Sequence, residues 1–246
     1  MKEVNIEIDD DRDKVPVWLA GCIHFGGQTH NSRLLDKWLD YDARDKPYIV
    51  LMGDMIESAL PGHHFSEGVW LQTQNPDEQI ETCIDTFKDS DVVAVLRGNH
   101  ERRIYNISSI DPAKLIAHGL DAAYLGFGGK INFNFKNGLT YSFAVFHGSG
   151  STTNPKSLLD KAYKIYRGFD VLAVAHVHKL YSDVVQELRP DGIHKTYRVC
   201  CGSFLGYEQY AQERFYEPGI IGNPLIYLYK ERKIVSVNTS GFPSEF

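Results

Sequence analysis

The chain of 246 residues carries 26 lysines and arginines against 32 aspartates and glutamates, a formal net charge of -6, with 43% hydrophobic and 24% charged residues. These proportions are ordinary for a folded protein and allow a substantial core without staples, while the acidic balance argues against broad electrostatic binding to nucleic acid, which needs a basic face. No apolar run approaches the roughly 20 residues needed to cross a bilayer and residues 1–10 lack an apolar leader, so a cytoplasmic protein without membrane contact is expected, its cysteines at 22, 83, 200 and 201 reduced.

Taken in order, residues 1–14 read as a polar edge strand or a flexible acidic segment. Residues 15–22 form an apolar strand. Asn31 or Ser32 caps a helix to about Tyr41, with Leu34, Leu35, Trp38 and Leu39 on one face. Pro47 breaks it, and a strand over 48–52 completes a β-α-β unit with the expected right-handed crossover. Pro61-Gly62-His63-His64 and Asn75-Pro76 bracket a loop-rich stretch with a short helix. Residues 77–88 have helical spacing of Ile80, Cys83, Ile84 and Phe87, and a strand over 92–96 follows. Asp111-Pro112 opens a helix that ends near His118, before a short strand over 122–126. Asn137-Gly138 joins strands over 131–136 and 139–146 as a hairpin. A helix over 157–167, a strand over 171–175, an antiparallel pair within 181–199 and strands over 225–229 and 233–238 complete the chain. Residues 202–223, with Phe204, Tyr207, Tyr210, Phe215 and Tyr216, show no period. With β-α-β units first and hairpins later, and no linker or repeat, the reading is one α/β domain over 1–246: two mixed β-sheets packed face to face with flanking helices.

The chemistry gathers at strand ends. Cys22 and His24 follow the first apolar strand, Gly53-Asp54 the second, and Gly98-Asn99-His100-Glu101 the strand over 92–96. His147-Gly148 and His176-Val177-His178 follow two more. In open α/β sheets ligands collect at the carboxyl ends of strands. Each signal alone has an ordinary reading: the Cys22/His24 and His176/His178 pairs as satisfied polar residues, Asp54 as a helix cap, Asn99 as a turn residue. On an extended segment each i, i+2 pair would point to one side. Jointly, five strands that each deliver a metal-ligand residue type point to a metal site.

The ordered set Cys22-x-His24, Gly53-Asp54, Gly98-Asn99-His100-Glu101, His147-Gly148 and Ala175-His176-Val177-His178 resembles the calcineurin-like metallophosphoesterases, over about residues 17–180. The resemblance implies an αββα sandwich, two divalent metals and a water-activating phosphoesterase, most simply a phosphodiesterase. It implies His24, Asp54 and His178, with the residue at 22, as ligands of one metal. Asp54 as a bridge, Asn99, His147 and His176 would hold the second. His100 would be the catalytic histidine that protonates the leaving oxygen or steadies the transition state. Cys22 stands where the family has Asp, and Ala175 where glycine is common. Mn, Fe, Zn, Co and Ni are all candidate metals; a thiolate ligand favours Fe or Zn, whereas a nonligating thiol would weaken the first site and leave a scaffold or regulatory binding protein on the same fold. Glu57 matches another acidic position of the family, suited to capping a helix or orienting a ligand. Arg102 or Arg103 could bind a substrate phosphate. His30, His63 and His64 could rim the cleft, and Ser149, Ser151 and Lys156 could reach a phosphate from the glycine-rich loop. Cys200 and Cys201 read as core. The expected partner is a phosphate-ester substrate, with nucleotides and nucleic acid among the candidates.

Overall fold

The structure, a computed structural model, describes residues 1–61, 68–206, 213, 215 and 221–240. Its first sheet has the order β12-β11-β2-β3-β4-β5, with β2 Lys14–Ala20, β3 Tyr48–Leu51, β4 Val92–Leu96, β5 Ala123–Gly126, β11 Leu225–Tyr229 and β12 Val235–Asn238. Strands β2 to β5 are parallel, and β11 returns antiparallel onto β2. The second sheet has the order β1-β6-β7-β8-β10-β9, with β1 Lys2–Ile8, β6 Gly128–Phe135, β7 Thr140–Phe146, β8 Val171–Val174, β9 Tyr181–Arg189 and β10 Gly192–Cys200. Of the two readings of the N-terminal segment, the edge strand is found: β1 pairs parallel with β6.

Alternation along β2 shows why the sheets stack. Val15, Val17 and Leu19 enter the core between the sheets, with Phe133, Phe143, Val145 and Ala173 from the other side. Trp18 and Ala20 point the opposite way, beneath the helices. A strand buried on both faces reads as a continuous apolar run, and that is the sequence here. Outside the first sheet lie α1 Ser32–Asp45, α3 Pro76–Phe87 and α5 Pro112–Gly119. Trp18 stacks on Trp38 of α1 with ring centroids 4.7 Å apart. Outside the second sheet, α6 Pro155–Ile165 buries Leu158, Leu159 and Tyr163. Asparagines cap three of these helices: Asn31 accepts from the Leu34 N–H, Asn154 from the Ser157 N–H, and Asn75 from the N–H groups of Asp77 and Glu78. Phe204 is fully buried beneath the first sheet, whereas Phe215 is exposed; Tyr207, Tyr210 and Tyr216 lie outside the described residues.

The loop-rich stretch before Asn75 holds its expected short helix, α2 Gly68–Leu71. One helix escaped the sequence reading. The longer α4 Asn99–Ser108 starts within the Gly98-Asn99-His100-Glu101 turn. Its one buried side chain is Glu101, and Ile104 packs on the core only partly buried, so its apolar face is thin beside those of α1 and α3.

Candidate metal centre

The carboxyl ends of β2, β3 and β4 in one sheet and of β7 and β8 in the other deliver their polar residues to one place. Past Ala20 the backbone enters the left-handed region at Cys22 and His24, past Gly53 at Asp54, and past Ala175 at His176 and His178. The i, i+2 pairs therefore do not converge by strand alternation, as the sequence spacing suggested. Each member sits beyond the strand in a conformation costing on the order of 1 kcal/mol, held by neighbouring segments. Cys22 donates its N–H to the Gly53 carbonyl (3.0 Å), and His24 donates to that of Asp54 (3.1 Å). Ala175 donates to the carbonyl of His147 (3.0 Å).

Two glycines make the approach possible. Gly53 has φ +89, and a Cβ there would lie 2.7 Å from both the Gly98 nitrogen and His147 Nδ1. A Cβ on Gly98 would lie 2.1 Å from Asp54 Oδ1. Beneath them the fully buried Glu101 accepts four backbone N–H groups: Oε1 from Met55 (2.7 Å) and Ile56 (3.2 Å), Oε2 from Asp54 (3.1 Å) and Gly98 (2.8 Å). It locks the turn carrying Asp54 to the turn carrying Asn99 and His100. Glu101 was visible as part of the motif but had no assigned role; nothing local in sequence tells that its carboxylate turns inward. Burial and the nearby Asp54 push its carboxyl upward.

Beside a group made by His24, Glu57 and His100, two donor sets share a carboxylate, each with ligating atoms within 4.8 Å of one another: Cys22, His24, Asp54 and His178, and Asp54, His147 and His176. Asp54 belongs to both. Asn99 joins the second set, its Oδ1 lying 3.0 Å from His147 Nε2 and 2.7 Å from His176 Nδ1. All seven residues singled out as ligands are thus brought together. The ring orientations suit a cation. His147 Nδ1 lies 2.8 Å from the Met52 carbonyl, which can only accept, so a proton sits there, while Nε2 faces two further acceptors, Asp54 Oδ2 at 3.1 Å and Asn99 Oδ1 at 3.0 Å, where either a second ring proton or a cation satisfies all three. His24 Nδ1 faces Glu57 Oε2 at 2.9 Å, leaving Nε2 opposed to His178 Nε2 at 3.3 Å. Lone pairs and a carboxylate converging at such distances, almost all buried, are the donor set a divalent cation fits.

The electrostatics follow. Burial opposes ionisation of Asp54, yet the imidazoles of His147, His100 and His24 hold its carboxyl well below the usual range. Glu57, also opposed by burial, is brought down to about 2 by the hydrogen bond from His24 and by His100 and Arg103. Burial, with His24 beside it, pushes His178 down to about 3, and burial pushes His100 down to about 4 against the pull of Asp54. Burial, then the Asp54 charge, raises the Cys22 thiol well above its ordinary value.

His100 lies at the edge of both sets, its N–H on Asp54 Oδ1 (2.8 Å) and its ring edge-on to His24. Arg103 reaches it, whereas Arg102 is exposed on α4. His30 instead bonds the Ile23 carbonyl (2.8 Å) and leans on Phe25. Lys156 pairs with Asp160, and the glycine-rich loop meets the site through the Gly150 carbonyl, which accepts from His176 Nε2 at 2.8 Å. Ser149 and Ser151 are exposed; His63 and His64 lie outside the described residues.

The family model for the calcineurin-like phosphoesterases matches residues 15–197, and the chain belongs to that family. No curated protein matches it. Among solved structures it is similar to a single mutant of Vps29 from Entamoeba histolytica, at 14% identity over 91% of this chain and 97% of that one, with a TM-score of 0.41. Wild-type Vps29 complexed with zinc from the same organism is 13% identical over 91% and 97%, with a TM-score of 0.38. A conserved uncharacterized protein and predicted phosphoesterase from Streptococcus pneumoniae TIGR4 is 11% identical over 92% and 98%, with a TM-score of 0.34.

Proposed function

We propose that the chain is a metal-dependent phosphodiesterase whose two cations share Asp54. The observation that carries this reading is the pair of buried donor sets with one carboxylate in common. Cys22, His24 and His178 would complete the first set, and Asn99, His147 and His176 the second. The chemistry that two divalent cations supply in such a cradle is activation of water and neutralisation of charge on phosphoryl oxygens.

The protein's own groups do the rest. Glu57 orients His24 through Nδ1, and the Met52 carbonyl orients His147. The Glu57 carbonyl holds His100 through Nδ1 at 2.6 Å, which assigns Nε2 to the leaving oxygen. Arg103 is the arginine placed to receive a substrate phosphate; the exposed Arg102 is not. The net charge of -6 favours nucleotides and other small phosphodiesters over duplex nucleic acid. Four free, buried cysteines suit the reducing cytoplasm, and among the described residues no helix is long and apolar enough to cross a membrane.

Cys22 sets the metal preference. Buried beside Asp54, its sulfur is softer than a carboxylate and favours Fe or Zn over Mn or Mg. The same raised thiol supports a second reading, a scaffold in which the first site binds metal weakly and catalysis is lost. Hydrolysis of bis(p-nitrophenyl) phosphate by stripped protein reloaded with Mn, Fe, Zn, Co or Ni tests both. The phosphodiesterase reading expects activity highest with Fe or Zn, shifting toward Mn in Cys22→Asp. Silence with every metal in the unaltered protein, and activity gained by Cys22→Asp, would select the scaffold.

A further inference from the structure

We propose that Arg103 is a latch on His100 that a substrate phosphate opens; the inference rests on the phosphoesterase reading above. His100 is engaged at both ring nitrogens. Nδ1 lies 2.6 Å from the Glu57 carbonyl oxygen, and the Arg103 guanidinium lies 2.9 Å from Nε2. A carbonyl can only accept and a guanidinium can only donate. The imidazole proton is therefore on Nδ1, and the Nε2 lone pair is already taken. In this state His100 offers neither an N–H nor a free lone pair to an ester oxygen, so Arg103 must leave before His100 can take part.

Arg103 is built to leave and return. Its second nitrogen donates to the same Glu57 carbonyl at 3.1 Å and lies 3.8 Å from Glu57 Oε1, so one side of the fork is tethered. The side chain keeps 19% of its surface exposed, and a guanidinium has five N–H donors, more than these contacts use. Anionic phosphoryl oxygens are stronger acceptors for that fork than a neutral imidazole nitrogen. Their arrival exchanges one acceptor for the other, and the same movement uncovers Nε2 on the side where the ester oxygen would lie. A neutral ester offers no such exchange, so the latch selects anionic tetrahedral substrates and keeps His100 closed without them.

Zinc-loaded protein labelled with 15N in histidine tests this, with inorganic phosphate as the probe. The latch predicts that saturating phosphate moves the His100 Nε2 resonance toward its position in phosphate-free Arg103→Met. It also predicts that Arg103→Met binds phosphate about tenfold or more weakly, with Arg103→Lys between the two because it keeps the charge and loses the fork. An Nε2 resonance indifferent to phosphate, or undiminished phosphate affinity in Arg103→Met, would overturn it. Should Arg103→Met fail to fold, the titration of the unaltered protein with phosphate decides. Ester hydrolysis measured alongside separates the two claims. The Nε2 response without hydrolysis rejects only the phosphoesterase reading, and hydrolysis without the response rejects only the latch.

Discussion

Gly98 has an ordinary extended φ, so its necessity is a matter of space alone: any Cβ there meets Asp54 Oδ1 at 2.1 Å and the Asp54 nitrogen at 2.3 Å. Gly98→Ala is therefore expected to displace the one carboxylate that both donor sets share. Overpacking of this kind costs about 1–3 kcal/mol, and bound metal should fall with it. Thermal melting and metal analysis on the same sample check the two effects together. Retained metal would show that the turn yields elsewhere. Glu101 belongs to the same unit, since its four backbone bonds hold the Asp54 and His100 turns in register. Both residues stand in the most legible stretch of the chain, yet only the asparagine and histidine between them advertise chemistry. What Gly98 and Glu101 do depends on a turn more than forty positions earlier in sequence, which local pattern cannot show.

Among the elements, β9, β10 and α6 are tied by Arg198, only 4% exposed. Its guanidinium bonds Asp183 of β9, with Nε 2.6 Å from Oδ1, and Asp160 of α6, with its terminal nitrogen 2.6 Å from Oδ1. Removing a partner from a buried charge costs more than removing the charge itself. Asp183→Ala, which leaves Arg198 only Asp160, should thus destabilise by about 1–3 kcal/mol and Arg198→Met by less, as read from urea midpoints. The reverse order would show that the ion pair itself carries the stability. At the start of the chain Asp10 accepts from Arg12, whose other nitrogens bond the carbonyls of Asp45 and Lys46 at the end of α1. The hydrogen bond from Arg12 lowers the Asp10 carboxyl, though burial opposes it. A carboxyl lowered in the fold stabilises above its unfolded pKa of about 3.9 and loses that contribution as pH falls through the folded value. Asp10→Asn should therefore melt below the unaltered protein at pH 7, by about 1 kcal/mol or less because Arg12 is part-exposed, with the gap closing below about pH 4. A gap independent of pH would remove the carboxylate from the explanation.

Across the whole molecule, what could be read from sequence divides by range. Strands buried on both faces, such as β2, β3 and β8, and helices with an apolar stripe and an asparagine cap, such as α1 and α3, carry their signals locally. Helix α4 does not, because it contributes little to the core and exists to present Asn99 and His100. The convergence itself was legible from five strand ends, but the local geometry was not: Cys22, His24, His176 and His178 leave the extended conformation that their spacing implied, and Asp54 too takes a left-handed backbone. His30 and Lys156, plausible rim residues by type, turn to the Ile23 carbonyl and to Asp160. Arg103 and Arg102 are neighbours of one type, and only the helical phase of α4 separates the one that reaches His100 from the one in solvent.

The central claim is that these strand ends form a two-cation cradle bridged by Asp54, and metal stoichiometry tests it most directly. Protein stripped by chelator, reloaded with zinc and freed of excess should retain two ions per chain, falling to one or none in Asp54→Ala and to about one in His147→Ala. A reloaded protein that holds no tightly bound zinc, or an Asp54→Ala variant that still holds both ions, would contradict the account.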